Sequence, residues 1–439
     1  MRLFLSVGEP SGDQHAAHLI RELDRRAPGS SFTGFGGPEM EAAGFQNLYR
    51  LTDIAVMGLG GIPPVLGTFI KQYRRAKEFL RSERPDAVVL VDCPGFNWWI
   101  AKAAKKLGIP TLYYLPPQLW AWAPWRIRKV RKWVDVVLAA LPFEAEWYSS
   151  RGIDVEYVGH PFFDEVAEHP LSQAFLDRCR WGEHGRPVRT VGILPGSRRQ
   201  EVERNFPVML EVMQRLSRAH DDVRFRVACY KESQREFCRS QMVGSYATLP
   251  ADLHVGRTPE IIEASECCLM TSGSVSLELL ARTTPAVVQY RGGPLMMAVA
   301  KLLVTCKYFS LPSLIAGRAA YPEYPFVGRP SRHAHQIAVQ LDEWLSSPAK
   351  LAEVRGELRT LQDQAVRTGA VAAAADTILR RLNITQPAAA RLKGPPPSVL
   401  AGRRSTPASS PAGCFATSRL HRSRSRLRGG RRADAPTAG

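Results

Sequence analysis

Ten short apolar runs, most of them closed by small or polar residues and followed by an amphipathic stretch, constrain this chain more than any other feature. Arg2 to Gly8, Ser31 to Gly37, Ala87 to Asp92, Thr111 to Pro116 and Val136 to Leu141 form a first series. Arg189 to Leu194, Arg224 to Tyr230, Leu253 to Val255, Cys267 to Thr271 and Pro285 to Tyr290 form a second. The runs are continuous rather than alternating, because a parallel strand covered by helices on both faces has no solvent-facing position. The expected fold is α/β, with two Rossmann-like domains and a ligand cleft between them at the carboxyl ends of their strands. The series break near Gly159-His160-Pro161, so domains are expected over 1–165 and 186–345, followed by helices over 346–384.

Charge has to be located before it is interpreted. Of the formal +18, +10 falls between Asn383 and Gly439, where ten Arg and one Lys face only Asp434; residues 1–382 carry the remaining +8. Rich in Pro, Ser, Ala and Arg, 385–439 cannot bury a core and is expected to be a disordered basic tail. It reads either as a solubilising extension or as an arm for anionic lipid or nucleic acid; no nucleic-acid partner is expected for the body. The eight cysteines are scattered without a repeating spacing, which fits a reduced, cytoplasmic protein rather than a disulfide scaffold. Glu9 and Asp13 interrupt the apolar start, so no secretory signal is expected. The uncharged stretches Ile54 to Ile70 and Gly108 to Trp125 fall short of the ~20 residues of a spanning helix and contain prolines.

Four strand-to-helix turns carry the candidate chemistry. After the first run come Gly8-Glu9-Pro10-Ser11-Gly12-Asp13, in which glycines allow close backbone approach and Ser11 or Asp13 can cap a helix facing an anion. Ala87 to Val91 delivers Asp92, either as a helix cap or as a partly desolvated base for a hydroxyl proton. In the second series, Gly196, Ser197 and Arg198, with Glu201 behind them, suit a diphosphate: turn amides and a guanidinium neutralise a leaving phosphate. Ser272, Gly273 and Ser274 add small donors, and Glu278 is placed to accept from ribose hydroxyls or to serve as a helix-dipole acid. Cys267 and Cys268 read as core, and His160 as a structural histidine. No metal-ligand spacing, Gly-x-x-x-x-Gly-Lys loop or Gly-x-Ser-x-Gly elbow occurs, so no metal and no cofactor are expected. Trp120-Ala-Trp-Ala-Pro-Trp125 before Arg126-Ile-Arg-Lys-Val-Arg-Lys132, and Val56 to Ile70 before Lys71, pair apolar with basic residues. They suit either a membrane interface or a core edge.

Together with Ala55-Val-Met-Gly58, Asp92-Cys-Pro-Gly-Phe-Asn97, Gln118-Leu-Trp-Ala-Trp122, Leu141-Pro-Phe-Glu144, Gly159-His160, Leu194-Pro-Gly-Ser-Arg198 and Ser310-Leu-Pro with Ala316-Gly-Arg318, these turns resemble the lipid-A-disaccharide synthases over roughly Arg2 to Leu382. The resemblance implies a GT-B glycosyltransferase, inverting and metal-independent. It would join UDP-2,3-diacylglucosamine to 2,3-diacylglucosamine 1-phosphate through a β(1→6) bond, releasing UDP. It implies that 1–165 is the acceptor side and 186–345 the UDP-sugar side. Asp92 would be the general base, Glu9, Ser11, Gly12 and Asp13 cleft-lining residues, and Arg198 and Glu278 UDP contacts; Ser313 and Arg318 fall on further binding positions. Gly95 and Ser313 stand where many members have Asp and Asn. Acylated substrates imply peripheral attachment to the cytoplasmic face of the inner membrane, and a homodimer is left open. The rival readings are a UDP-sugar epimerase or hydrolase of the same fold and a non-catalytic UDP-sugar or lipid-binding protein.

Overall fold

The computed structural model describes residues 1–53, 62–181, 185–293, 304–328 and 331–384, with backbone alone over 62–66. The Ala55 to Gly58 motif and the basic tail 385–439 lie outside the described residues. In the first half the strands are β1 (Arg2–Val7), β2 (Ser31–Gly36), β3 (Gln46–Arg50), β4 (Ala87–Val91), β5 (Thr111–Tyr114), β6 (Val136–Ala139) and β7 (Val155–Tyr157). In the second they are β8 (Arg189–Leu194), β9 (Val223–Cys229), β10 (Ala251–Val255), β11 (Ser265–Thr271), β12 (Ala286–Arg291) and β13 (Glu323–Phe326).

Both sheets are parallel throughout, in the orders β3-β2-β1-β4-β5-β6-β7 and β10-β9-β8-β11-β12-β13. The strand order reverses between β1 and β4 in one sheet and between β8 and β11 in the other. At such a reversal the loops leaving adjacent strands diverge to opposite faces and open a crevice at the carboxyl ends. The four turns singled out in the sequence leave these four strands.

Each sheet is covered on both faces. Leu3, Leu5, Val89, Val91 and Leu112 face one core of the first sheet and Phe4, Val88, Leu90 and Tyr113 the other. Val191, Ile193, Phe225 and Val227, against Leu194, Ala228, Cys268 and Met270, divide likewise in the second. Cys267 and Cys268 are core residues, and the seven described cysteines are all free.

The C-terminal helices expected over 346–384 divide between the halves. Pro348–Ala365 places Leu358, Leu361 and Ala365 in the second core, whereas Ala370–Arg381 returns to the first sheet with Ala374, Ala375, Ile378 and Leu379. The helix Pro161–Glu168 anchors that return: Asp164 accepts from the amides of Gly369 and Val371, capping the last helix. His160 caps Pro161–Glu168 itself, its Nδ1 accepting from the Phe162 amide at 3.2 Å. Burial, with His15 beside it, holds its pKa down at about 3, so it is a neutral structural histidine.

Candidate functional site

At the first switch point Asp92 and Cys93 both adopt left-handed backbone, with φ of 45° and 36°. For residues with a Cβ this costs about 1–2 kcal/mol each, so the surroundings must compensate. The Asp92 carbonyl accepts from the Tyr113 hydroxyl at 2.6 Å and the Asn97 amide at 3.0 Å. Asn97 also donates to the carbonyls of Val91 (2.9 Å) and Ser6 (3.1 Å) and accepts from the Ser6 hydroxyl (2.6 Å). One buried side chain thus stitches the carboxyl ends of β1 and β4 together.

The turn turns the Asp92 carboxylate back over the Gly8–Asp13 loop. Its Oδ1 accepts from the Gly8 amide at 3.0 Å, while Oδ2 is buried with no hydrogen-bond partner. Two glycines make the approach possible: a Cβ on Gly12 would lie 1.8 Å from Asp92 Oδ2, and one on Gly8 would lie 2.5 Å from the Cys93 side chain. Burial, reinforced by the charge of Glu9, pushes the Asp92 pKa well above the ordinary carboxylate value, against the lowering effect of the Gly8 and Glu9 amides. The result is a carboxyl with raised proton affinity and an unused oxygen.

At the second switch point the loop after β8 is held from behind. Gly196 has φ of 115°, and a Cβ there would meet the Glu201 side chain at 3.0 Å. Glu201 Oε2 accepts from the Arg198 amide and its Oε1 pairs with the Arg198 guanidinium, both at 3.3 Å, forming the cap of the helix Arg199–Ala219. Gln234 donates to the Ser197 carbonyl at 2.6 Å and Thr271 to the Pro195 carbonyl at 3.0 Å, tying the loop to the helix Glu232–Gln241 and to the end of β11. Ser197, Gly273 and Ser274 are exposed, and the Arg198 side chain is 75% exposed.

The two loops meet. Arg198 Nη2 lies 3.9 Å from Glu9 Oε2, and Glu9 is the residue whose charge acts on Asp92. Through Glu9, the loop that carries Asp92's neighbours in the first half thus adjoins the Arg198 loop of the second.

The remaining candidates are placed differently. Ser11 is exposed at the start of the helix Pro10–Arg26. Asp13 is buried, accepting from the amides of Gly37 (2.9 Å), Glu39 (3.0 Å) and Met40 (3.1 Å), so it holds the short helix Pro38–Ala42 in place. Ser272 donates to the Phe309 carbonyl at 2.9 Å. Glu278 is buried beside Arg282 (3.1 Å), and burial raises its pKa in spite of that partner. Ser313 is buried and accepts from the Ser310 hydroxyl and the Ala320 and Tyr321 amides, folding its own loop. Arg318 is turned to Glu357 at 2.7 Å on the helix Pro348–Ala365. Asn97, Tyr113, Thr271 and Gln234 do work that the sequence reading did not assign. Among the described residues, no three His, Cys, Asp or Glu side chains cluster as metal ligands would.

Residues 3–377 match the lipid-A-disaccharide synthetase family. The chain belongs to that family. The lipid-A-disaccharide synthase of Syntrophotalea carbinolica is 35% identical over 373 residues, 84% of this chain and 93% of its own. That of Myxococcus xanthus is 33% identical over 389 residues, 87% of this chain and 97% of its own. Members are glycosyltransferases of lipid A biosynthesis, and the two parallel sheets are those of the GT-B fold. Solved structures agree on the fold: Staphylococcus aureus MnaA with UDP superposes with a TM-score of 0.60 at 13% identity, covering 88% of this chain and 97% of its own. The UDP-GlcNAc 2-epimerase of Neisseria meningitidis bound to UDP-GlcNAc gives 0.58 at 12%, covering 87% and 100%.

Proposed function

We propose that the chain transfers 2,3-diacylglucosamine from UDP to the 6-hydroxyl of 2,3-diacylglucosamine 1-phosphate, forming the β(1→6) disaccharide 1-phosphate and UDP. The observation that carries the reading is the unused, buried Oδ2 of Asp92, whose charged neighbour Glu9 is approached by Arg198 from the other half. Asp92 takes the hydroxyl proton as the oxygen attacks the anomeric carbon. Its raised pKa makes it a stronger base than a solvated aspartate. The diphosphate departs from the opposite face toward Arg198, the exposed Ser197, Gly273 and Ser274, and the amino end of Arg199–Ala219, where positive charge awaits the developing negative charge. One displacement inverts the anomeric centre, and these groups do this without a divalent metal.

Both substrates carry acyl chains, and one surface suits the lipid they come from. Trp122 and Trp125 are 37% and 54% exposed, Arg126 lies over the Trp122 ring at 4.6 Å, and the helix Ile127–Trp133 continues with Arg128, Lys129, Arg131 and Lys132. Trp beside cationic side chains favours the headgroup region of an anionic bilayer. Trp120, by contrast, is buried. No described helix is long and apolar enough to cross a membrane, and we place the enzyme at the cytoplasmic surface of the inner membrane as a peripheral protein.

The deciding experiment incubates the purified chain with UDP-2,3-diacylglucosamine, with and without the monosaccharide phosphate, in the presence of a chelator. Disaccharide formed only with both substrates supports the reading. UDP release independent of acceptor would instead support a hydrolase, and UDP binding without turnover a sensor.

A further inference from the structure

Two backbone carbonyls of the first half receive a residue of the second. Thr305 donates its amide to the Ala121 carbonyl at 2.8 Å and its hydroxyl to the Trp120 carbonyl at 2.7 Å, with the Ala121 oxygen a further 3.2 Å contact. Arg198 and Glu9 also approach across the halves, but at 3.9 Å and through two long, solvent-washed side chains, which cannot hold a spacing. A backbone amide and a one-carbon hydroxyl seated on two carbonyls can.

The seat itself needs support. Leu119–Trp122 is a single turn of helix, too short to be stable by its own hydrogen bonds. Trp120 fixes it. Its ring is buried edge-on to Phe143, with centroids 4.8 Å apart, and its indole Nε1 donates to Glu144 Oε1 at 3.1 Å. The other oxygen of Glu144 accepts from the Ala140 amide at 3.2 Å. The donors around Glu144 are neutral, and burial pushes its pKa up to about 7. A carboxyl in such a place is costly to bury, yet it accepts from the indole and from the chain end of β6 together. Gln118-Leu-Trp-Ala-Trp122 and Leu141-Pro-Phe-Glu144, separate in the sequence, are two parts of one device.

We propose that Glu144 and Thr305 are positioning residues: Glu144, through the Trp120 indole, holds the carbonyls on which Thr305 docks, and this latch sets the spacing between the Asp92 and Arg198 loops. The inference rests on the transfer reaction proposed above, because a reaction between groups on opposite walls depends on their separation. Misplacement by about 1 Å can cost ~100-fold in rate.

Thr305 is an exposed residue, so its variants should fold. Thr305→Val keeps the shape and removes the hydroxyl donor; Trp120→Phe removes the indole donor; Thr305→Ser restores a hydroxyl. Thr305→Val and Trp120→Phe are each expected to lower kcat about ten-fold, while UDP affinity by calorimetry stays within two-fold and Thr305→Ser recovers most of the rate. Glu144→Leu should match Trp120→Phe where it folds. The Trp120→Phe/Thr305→Val double variant should be no more than about two-fold slower than the worse single variant, since both break one chain of contacts. Wild-type kcat in Thr305→Val, an equal loss of UDP affinity, or multiplicative losses in the double variant would overturn the latch. Amide hydrogen exchange over residues 119–123, which requires no activity, should quicken about ten-fold in Thr305→Val but not in Thr305→Ser. Unchanged exchange rejects the latch even if transfer is confirmed, and absent transfer in the wild type rejects the reaction while leaving this measurement standing.

Discussion

The two switch-point loops are built from the same parts, a strand end, small residues and a helix amino end, but they are held in opposite ways. The Asp92 loop keeps a carboxylate oxygen buried, is strained at two successive residues, and is pinned by Asn97, Tyr113 and the Gly8 amide. The Arg198 loop has one glycine at positive φ, leans on Glu201 from behind, and leaves its guanidinium in solvent. A base benefits from a dry, fixed setting that raises its proton affinity, whereas a site for a soluble diphosphate must be reachable and is worth more for charge than for rigidity. The first loop should therefore govern turnover, and the second affinity for the nucleotide.

Replacing Asp92 by Asn tests the first half of that division most severely. It keeps size and burial and removes the base, so kcat should fall by about 10³, within the range for general-base removal, while UDP affinity stays within two-fold. A comparable loss of UDP affinity would mean the two loops are not separate in function. Gly12→Ala should act on the same loop through sterics alone. A Cβ 1.8 Å from Asp92 Oδ2 must displace the carboxylate, and we expect kcat to drop about 10²-fold, with roughly 1–3 kcal/mol lost in denaturant unfolding. Arg198→Ala is the counterpart on the open loop. It should weaken UDP binding about 10- to 100-fold, the scale of one charge-assisted contact, and leave the thermal midpoint unchanged because the side chain is mostly exposed. Salt should weaken UDP binding to the wild type more than to Arg198→Ala.

The same contrast explains what could be read from the amino-acid order. Interior strands such as β1, β4, β8 and β11 are buried on both faces and stand out as continuous apolar runs. The three described strands that the runs did not reveal, Gln46–Arg50, Val155–Tyr157 and Glu323–Phe326, are all sheet edges with half-exposed residues; β13 even contains Pro325, which an edge tolerates because one side of it needs no ladder donor. Among the candidate site residues, Glu9, Gly12, Asp92 and Arg198 stand out in the sequence because turn chemistry is local. Three features were not. Asp92 and Cys93 are left-handed without a glycine to announce it, Asp13 caps a helix that begins 25 residues later, and Thr305 meets a carbonyl more than 180 residues away. Contacts of that span leave no periodicity, and a side chain that bonds backbone amides looks, in a sequence, like one that bonds a ligand.

A final prediction separates the halves by pH. In the first half burial raises both Asp92 and Glu144, the latter to about 7 from an ordinary value of 4.5. A carboxyl whose folded pKa is raised contributes stability that is complete below its unfolded value and is lost as pH rises through its folded value. Glu144 should therefore make the fold less stable, by up to roughly 3 kcal/mol, as pH climbs from about 4.5 to 7. His160 works against it. Held near 3 while the unfolded imidazole titrates near 6.5, it contributes stability above 6.5 that is lost as pH falls. The wild-type slope is thus a difference between two effects, and the informative quantity is wild type minus Glu144→Gln, by denaturant unfolding from pH 5 to 8. That difference should turn against the wild type as pH rises. On the proposed mechanism transfer should run the other way, because Asp92 as its base would act only when deprotonated and its raised pKa would move the acid limb of kcat/KM upward. A wild type that gains stability over Glu144→Gln with rising pH would show that Glu144 is buried as a stabilised anion, and the first half would then owe its rigidity to charge rather than to its exclusion of water.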